Sequence, residues 1–261
     1  MRVLITGGTG SLGQALVRAA AGAGHVARVM SRRARAAVAD DRVEWARADI
    51  ATGDGVREAA DGADAIIHAA TDPRRAEAVD VQGTRHLVEA ARAAGVGHLV
   101  YVSIVGIEEI PVGYYRRKLA AEHVVASSGV PHTTLRATQF HSLVAALISK
   151  AARLPLLLPL PTDFKFQSVA ESEVAARLIS CLDAGPRGRL ADFGGPEVLT
   201  LGEMASDWME AKGVRKKLVR LPVPGAAAAA FREGRNTAPH GARGSVRWRD
   251  WLDGSSTREG G

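Results

Sequence analysis

Ser103, Tyr114 and Lys118 are the residues whose types and spacing suit acid–base chemistry on a carbonyl. Tyr114 and Lys118 stand four apart in "YYRRKLAAEHVV", so a helix sets both on one face. Tyr115, three from Lys118, is also within reach. A phenol with a pKa of about 10 is a poor acid or base at neutral pH. A nearby ammonium stabilises the phenolate and is expected to draw that pKa toward the working range. Ser103 closes the apolar run "HLVYVS" and is placed to hydrogen-bond a substrate oxygen. The competing reading makes the two tyrosines packing residues and gives Lys118 only a binding role.

Reduction or oxidation at such a site needs a partner for the electrons. "RVLITGGTGSLGQAL" carries Gly7, Gly8, Gly10 and Gly13 between an apolar run and a helix-periodic segment. Gly8-x-Gly10-x-x-Gly13 satisfies the dinucleotide pattern in its required strand-to-helix context, and Gly7-x-x-Gly10-x-x-Gly13 overlays it. Glycine is needed for a tight turn, close approach of pyrophosphate, and close helix–strand packing. The helix N-terminus then offers free N–H groups to the phosphates. Thr9, Ser11 and Leu12 complete the expected loop. An NAD-preferring site commonly has an acidic residue roughly 20 positions further on. Here "MSRRAR" supplies Ser31, Arg32 and Arg33, which favour a 2′-phosphate and hence NADP(H). Arg35 reads as an ordinary solvated charge.

The elements that must position these groups follow from alternating patterns. Strands are predicted at "RVLIT", "HVARVMSR", "VEWARADI", "ADAIIHAAT", "HLVYVSIVG" and "HTTLRATQF". Helices are predicted at "LGQALVRAAAGAG", "GVREAADGA", "RAEAVDVQGTRHLVEAARAAGV" and "YYRRKLAAEHVVASSG". Such alternation predicts an α/β fold, a Rossmann-type doubly wound parallel sheet. A small C-terminal substrate-binding extension is expected to follow: residues 1–150 form the NADP-binding core, 151–252 the extension and 253–261 a flexible tail. After residue 150 the reading is a proline-rich connection, a short strand and a helix. Then come strand–turn–helix over "LADFGGPEVLTLGEMASDWMEAKGV" and two more helices around a loop.

Carboxyl ends of parallel strands line the ligand crevice. That places Asp49 and Ile50 near an adenine, and Ala69, Ala70 and Thr71 under the cofactor. Ala137 and Thr138 complete the cofactor set. His141, following the sixth strand, is expected near the substrate, and Phe140, Phe164 and Phe166 read equally as walls of its pocket and as core. His68, His86, His98 and His132 have no metal-ligand spacing and read as surface or internally satisfied histidines, so no metal is expected. Trp248 and Trp251, three apart, are expected to dock a terminal helix.

The chain has 261 residues, 46% hydrophobic and 24% charged, enough apolar material for a sizeable core. The formal charge is +6 with 34 Lys and Arg, yet no run of five basic residues occurs, so nucleic acid is not an expected partner. Lone Cys181, among apolar neighbours, excludes an internal disulfide and reads as a structural thiol. No signal peptide or spanning segment is apparent, so a cytoplasmic protein without a membrane partner is expected. A small-molecule substrate is expected, with a homodimer left open.

"TGGTGSLG", "SIVG", "YYRRKLAAE", "LRATQF" and "GGPEVLT" together resemble the atypical, NmrA-like branch of the short-chain dehydrogenase/reductases over about residues 1–252. The resemblance implies a seven-stranded Rossmann core, NAD(P)(H), and a Ser-Tyr-Lys set falling on Ser103, Tyr114 and Lys118. It also matches a proton-relaying helix asparagine of the superfamily to Asp80 in "VDVQGT", and the Ser103–Tyr114 interval is slightly short. The expected activity is hydride transfer to or from a small apolar carbonyl or quinone-like molecule. The alternatives are a non-catalytic NADP(H) redox sensor and an epimerase- or dehydratase-like enzyme retaining NAD(P).

Overall fold

The computed structural model describes residues 1–33 and 41–256. Arg35 and the last five residues of the expected tail lie outside the described residues. In chain order the elements begin β1 (Arg2–Thr6), α1 (Ser11–Gly22), β2 (Val26–Ser31), β3 (Val43–Arg47), α2 (Val56–Ala60) and β4 (Ala65–His68). A π-helical segment (Glu77–Gln82) leads into α3 (Gly83–Ala93), followed by β5 (His98–Ile104), α4 (Gly113–Ala126) and β6 (His132–Ala137). Next are α5 (His141–Ala151), β7 (Leu157–Leu160), β8 (Lys165–Phe166), α6 (Glu171–Ala184) and β9 (Gly188–Arg189). The chain continues through β10 (Phe193–Gly194), β11 (Leu199–Thr200), α7 (Leu201–Ala211), β12 (Lys217–Arg220), α8 (Ala226–Glu233), β13 (Ala242–Arg243) and α9 (Trp248–Ser256).

These elements form two compact units that interleave along the chain. The first takes Met1–Ser103, Gly113–Arg136 and Val174–Leu190; the second takes Ile104–Val112, Ala137–Glu173 and Ala191–Gly261. A single boundary near residue 150 is therefore not how the contacts divide.

In the first unit the sheet runs β9–β6–β5–β4–β1–β2–β3. β1 is parallel to β2 and β4, β2 to β3, β4 to β5, and β6 to β9. This is the doubly wound order, with the chain reversing direction across the sheet between β1 and β4. Val3, Leu4 and Ile5 are fully buried, as expected of a strand covered on both faces. Leu4, Ile66, Leu87, Leu99 and Tyr101 share one core cluster. α4 buries Tyr115, Lys118, Ala121, Glu122 and Val125, a helical stripe that carries a lysine and a glutamate into the interior.

The second unit has its own core, built from Leu158, Leu160, Phe166, Met204, Trp208 and Trp248 among others. Thr200 caps α7 in a reciprocal capping box with Glu203. The Trp248 indole N–H donates to the Met204 carbonyl at 3.1 Å, docking α9 as expected. α9 extends through Ser256, so the first four residues of the expected tail are helical. Sequence reading assigns no element to α5. Its buried Val144 and Ile148 make a clean i,i+4 pair, but exposed Leu143 and Leu147 hide the period. Among the described residues no helix is long and apolar enough to cross a membrane.

Candidate active site

The glycine loop is built by close backbone approach. Gly7 has φ +70°, and a Cβ there would lie 2.8 Å from the carbonyl of Ala69 and from Ala70 Cα. The Gly10 N–H donates to the Gly7 carbonyl at 2.9 Å. A Cβ on Gly13 would collide with that same carbonyl oxygen. Gly10 caps α1 with no side-chain hydrogen bond, so the first-turn N–H groups are available to an anion. Ser11 is exposed and Leu12 buried at that turn. A bare backbone cradle at the N-terminus of a twelve-residue helix fits a pyrophosphate.

A buried network fixes this loop to β4. The Thr6 hydroxyl accepts from the N–H groups of Ala69 and Ala70 at 3.2 and 3.1 Å. It lies 2.7 Å from His68 Nδ1. His68 Nε2 lies 3.0 Å from the Thr84 hydroxyl, which in turn donates to the Asp80 carbonyl. Donor counting assigns the His68 proton to Nε2. Burial, aided by the charge of Lys118, pushes the His68 pKa down to about 3, so the ring stays neutral. Thr6 and His68 were not among the expected site residues. Their signal is positional: they are paired neighbours at the carboxyl ends of β1 and β4.

Arg32 and Arg33 are exposed just past β2, and the Ser31 hydroxyl accepts from the Arg33 N–H at 3.2 Å. Asp49 uses Oδ1 to accept from the Ala51 N–H at 2.9 Å, shaping a turn. Ile50 is packed into the core of the unit against Gly83.

Lys118 is 3% exposed. Its ammonium donates to the Val102 carbonyl at 2.9 Å, lies 3.8 Å from Asp80 Oδ1, and sits 4.4 Å from the centre of the Tyr101 ring. Burial lowers its pKa to about 8 against the opposing attraction of Asp80 and Glu122. The Tyr114 hydroxyl is 2.7 Å from Thr71 Oγ1, and Thr71 donates to Asp80 Oδ1 at 2.6 Å. With that proton committed to Asp80, Thr71 accepts from Tyr114.

The expectation that Lys118 lowers the Tyr114 pKa needs correction. Burial raises the Tyr114 phenol above its ordinary value, and the Asp80 charge raises it further; only the Thr71 contact works the other way. The ammonium gives a hydrogen bond to the Val102 carbonyl, and its charge faces Asp80. Thr71, expected to touch cofactor, joins Tyr114 to Asp80. Asp80 sits in the π-helical segment, a wide turn of the kind common at functional sites. Ser103 is buried and its hydroxyl has no hydrogen-bond partner.

Thr9, whose carbonyl accepts from the Gln14 side chain at 3.2 Å, lies in the first unit, whereas Ala137, Thr138, Phe140, His141, Phe164 and Phe166 belong to the second. Ala137 pairs with Phe193, and the Thr138 hydroxyl donates to the Gln167 carbonyl at 2.5 Å. His141 is buried against the stacked pair Trp248 and Trp251, with ring centroids at 5.7 and 5.6 Å. Its Nδ1 meets Ser168 Oγ at 2.8 Å and its Nε2 the Val246 carbonyl at 3.2 Å, so both nitrogens are engaged internally. Phe166 lies in the core, Phe164 stacks on Phe231 at 5.4 Å, and half-buried Phe140 precedes α5 as its N-cap. For Phe166 and His141 the packing is that of interior residues.

Residues 7–184 match a family model described as NAD(P)H-binding. The chain is 29% identical over 228 residues to a (4-alkanoyl-5-oxo-2,5-dihydrofuran-3-yl)methyl phosphate reductase of Streptomyces griseus, covering 86% of this chain and 78% of that protein. It is 30% identical over 236 residues to a ceramide reductase of Caulobacter vibrioides, covering 85% and 74% respectively. Its fold matches an NADPH-dependent quinone oxidoreductase of Escherichia coli solved with NADPH, at a TM-score of 0.76 and 18% identity over 97% of this chain and 99% of that one. The chain belongs to the NAD(P)H-binding family and is an NAD(P)H-dependent oxidoreductase with the Rossmann fold of the atypical short-chain dehydrogenase/reductases.

Proposed function

We propose that the protein reduces a small, apolar carbonyl or quinone-like molecule at the expense of NADPH, in the cytoplasm. The reading rests chiefly on the file Lys118–Asp80–Thr71–Tyr114, which joins a phenol to a buried ammonium through one hydroxyl and one carboxylate. When bound, the nicotinamide supplies the hydride. Tyr114 gives its phenolic proton to the substrate oxygen. Thr71 then passes its hydroxyl proton to the phenolate and takes another through Asp80. Lys118, with its pKa lowered to about 8, gives up that proton near neutral pH. The unpartnered Ser103 hydroxyl orients the substrate oxygen.

Arg32 and Arg33 support NADP(H) over NAD(H), since guanidinium groups suit a 2′-phosphate. Two relatives are named as reductases, one of an alkanoyl-bearing oxo-dihydrofuran methyl phosphate and one of ceramide, and the quinone-like reading draws on the similarity to a quinone oxidoreductase of Escherichia coli. A sensor that only binds the dinucleotide has no need of the proton file, and reductase relatives favour turnover.

The test is NADPH oxidation on a panel of quinones, enones and ketones, with calorimetry of NADPH binding alongside. Tyr114→Phe should cut kcat by about 10²–10⁴-fold while leaving NADPH affinity nearly unchanged. Intact turnover in Tyr114→Phe removes the acid role. No turnover on any panel member, with unequal affinity for NADPH and NADP+, would favour the sensor.

A further inference from the structure

The second unit carries an apolar surface that its own packing does not use. Leu143 and Leu147 stand one helical turn apart on α5 and are exposed. Lys150 continues their row, and the chain then leaves the helix through the wholly exposed run Arg153-Leu154-Pro155-Leu156-Leu157. Leu156 is 80% exposed.

Leu156 is also conformationally unusual. It is the one non-glycine with positive φ among the described residues, at +62°. The Leu157 N–H closes back on the Pro155 carbonyl at 2.6 Å, a three-residue turn of the rare, strained kind. A leucine there bears a backbone cost that glycine would avoid, and it gains no burial in return. Folding alone does not account for the side chain.

The charge around the patch is predominantly basic, with Asp163 and Glu210 flanking it. Segments 143–162 and 211–221 hold seven basic residues and no acidic one. β12 runs parallel to β7 and sets Lys217 opposite Leu157. The Lys216 ammonium donates to the Leu154 carbonyl at 2.5 Å. Lys150, Arg153, Arg215 and Lys217 are exposed. Asp163 is already held by Arg220 and Arg232 at 2.7 and 2.6 Å.

We propose that this patch is a peripheral docking surface for an anionic lipid bilayer. Leu154, Leu156 and Leu157 enter the headgroup–acyl boundary, and the flanking cations face lipid phosphates. Exposed leucines ringed by lysine and arginine are the composition that binds interfacially, where apolar area and electrostatic attraction act together. A protein partner of acidic character would match the charge but does not explain a leucine projected on a strained turn. The sequence reading expected no membrane partner, and a peripheral docking surface departs from that expectation.

Co-sedimentation of the full chain with vesicles tests this. Binding is expected to vesicles of mixed phosphatidylcholine and phosphatidylglycerol, to weaken at least tenfold in pure phosphatidylcholine, and to fall with added salt. Leu154→Ser with Leu156→Ser should weaken binding by about tenfold or more. Arg153→Glu with Lys217→Glu should do so by roughly fivefold or more per charge. Both variants should keep wild-type NADPH affinity and melting temperature. Equal binding of wild type and variants, no binding at low salt, or no preference for anionic lipid overturns the proposal. So does a wild-type dimer in sedimentation equilibrium that Leu156→Ser converts to monomer, since a second copy would then cover the patch.

Discussion

At the residue scale the decisive feature is how Lys118 divides its interactions. Its ammonium is held by the Val102 carbonyl and Asp80, and burial brings its pKa to about 8. The charged form is present below that pH and lost as pH rises through it. kcat/KM, which reports the free enzyme, should therefore fall on the basic side with an apparent pKa of about 8. A profile flat through that region would separate Lys118 from turnover. Exposed Arg32 and Arg33 carry the second prediction at this scale. Replacing both by Ala should weaken NADPH binding by roughly 30- to 160-fold, on the order of 2–3 kcal/mol, and leave NADH nearly unaffected. Equal loss for both cofactors refutes the 2′-phosphate assignment. Sequence spacing singled out Ser103, Tyr114 and Lys118 as candidates. It did not reveal the Thr71–Tyr114 contact, because which of several strand-end hydroxyls meets a phenol depends on side-chain direction across 43 positions of chain.

At the element scale, α1 and the loop before it act as one piece. A Cβ on Gly13 would strike the Gly7 carbonyl and come within 2.5 Å of Gly8 Cα, whereas one on Gly22 meets nothing within 4 Å. Both residues lie in the same helix, where alanine normally gains roughly 0.5–1 kcal/mol over glycine. Gly22→Ala should thus stabilise the protein slightly. Gly13→Ala should destabilise it and weaken NADPH binding, the two measured by thermal unfolding and calorimetry. If Gly13→Ala behaves like Gly22→Ala, the close approach does not govern the loop. Periodicity predicted the long helix over "RAEAVDVQGTRHLVEAARAAGV" but not that Glu77–Gln82 would be π-helical. Hydrophobic spacing reports which face is buried, and a one-residue widening of a turn leaves that signal almost intact.

At the scale of the whole molecule, buried polar groups tie stability to pH. His68 is neutral inside the first unit with its pKa pushed down to about 3, whereas in the unfolded chain it titrates at about 6.5. Between those values the unfolded chain binds a proton that the folded one refuses. The stabilisation is complete above pH 6.5 and is lost as pH falls toward 3. In urea titrations across that window, wild type should lose up to about 1.4 kcal/mol per pH unit more than His68→Gln. Parallel curves would remove His68 from the acid response.

The sequence by itself determined the fold and the cofactor class. Strand–helix alternation and the glycines of "TGGTGSLG" are local signals, written in hydrophobic period and in the steric need for a missing Cβ. The tertiary structure alone decided that His141 and Phe166 pack inside the second unit, and that two units interleave instead of meeting at one boundary. It also decided that Tyr114 reaches Lys118 through Thr71 and Asp80. Those outcomes depend on contacts between residues far apart in the chain. Their energies come from burial and from donors and acceptors that must find partners, and no local pattern of residue types encodes either.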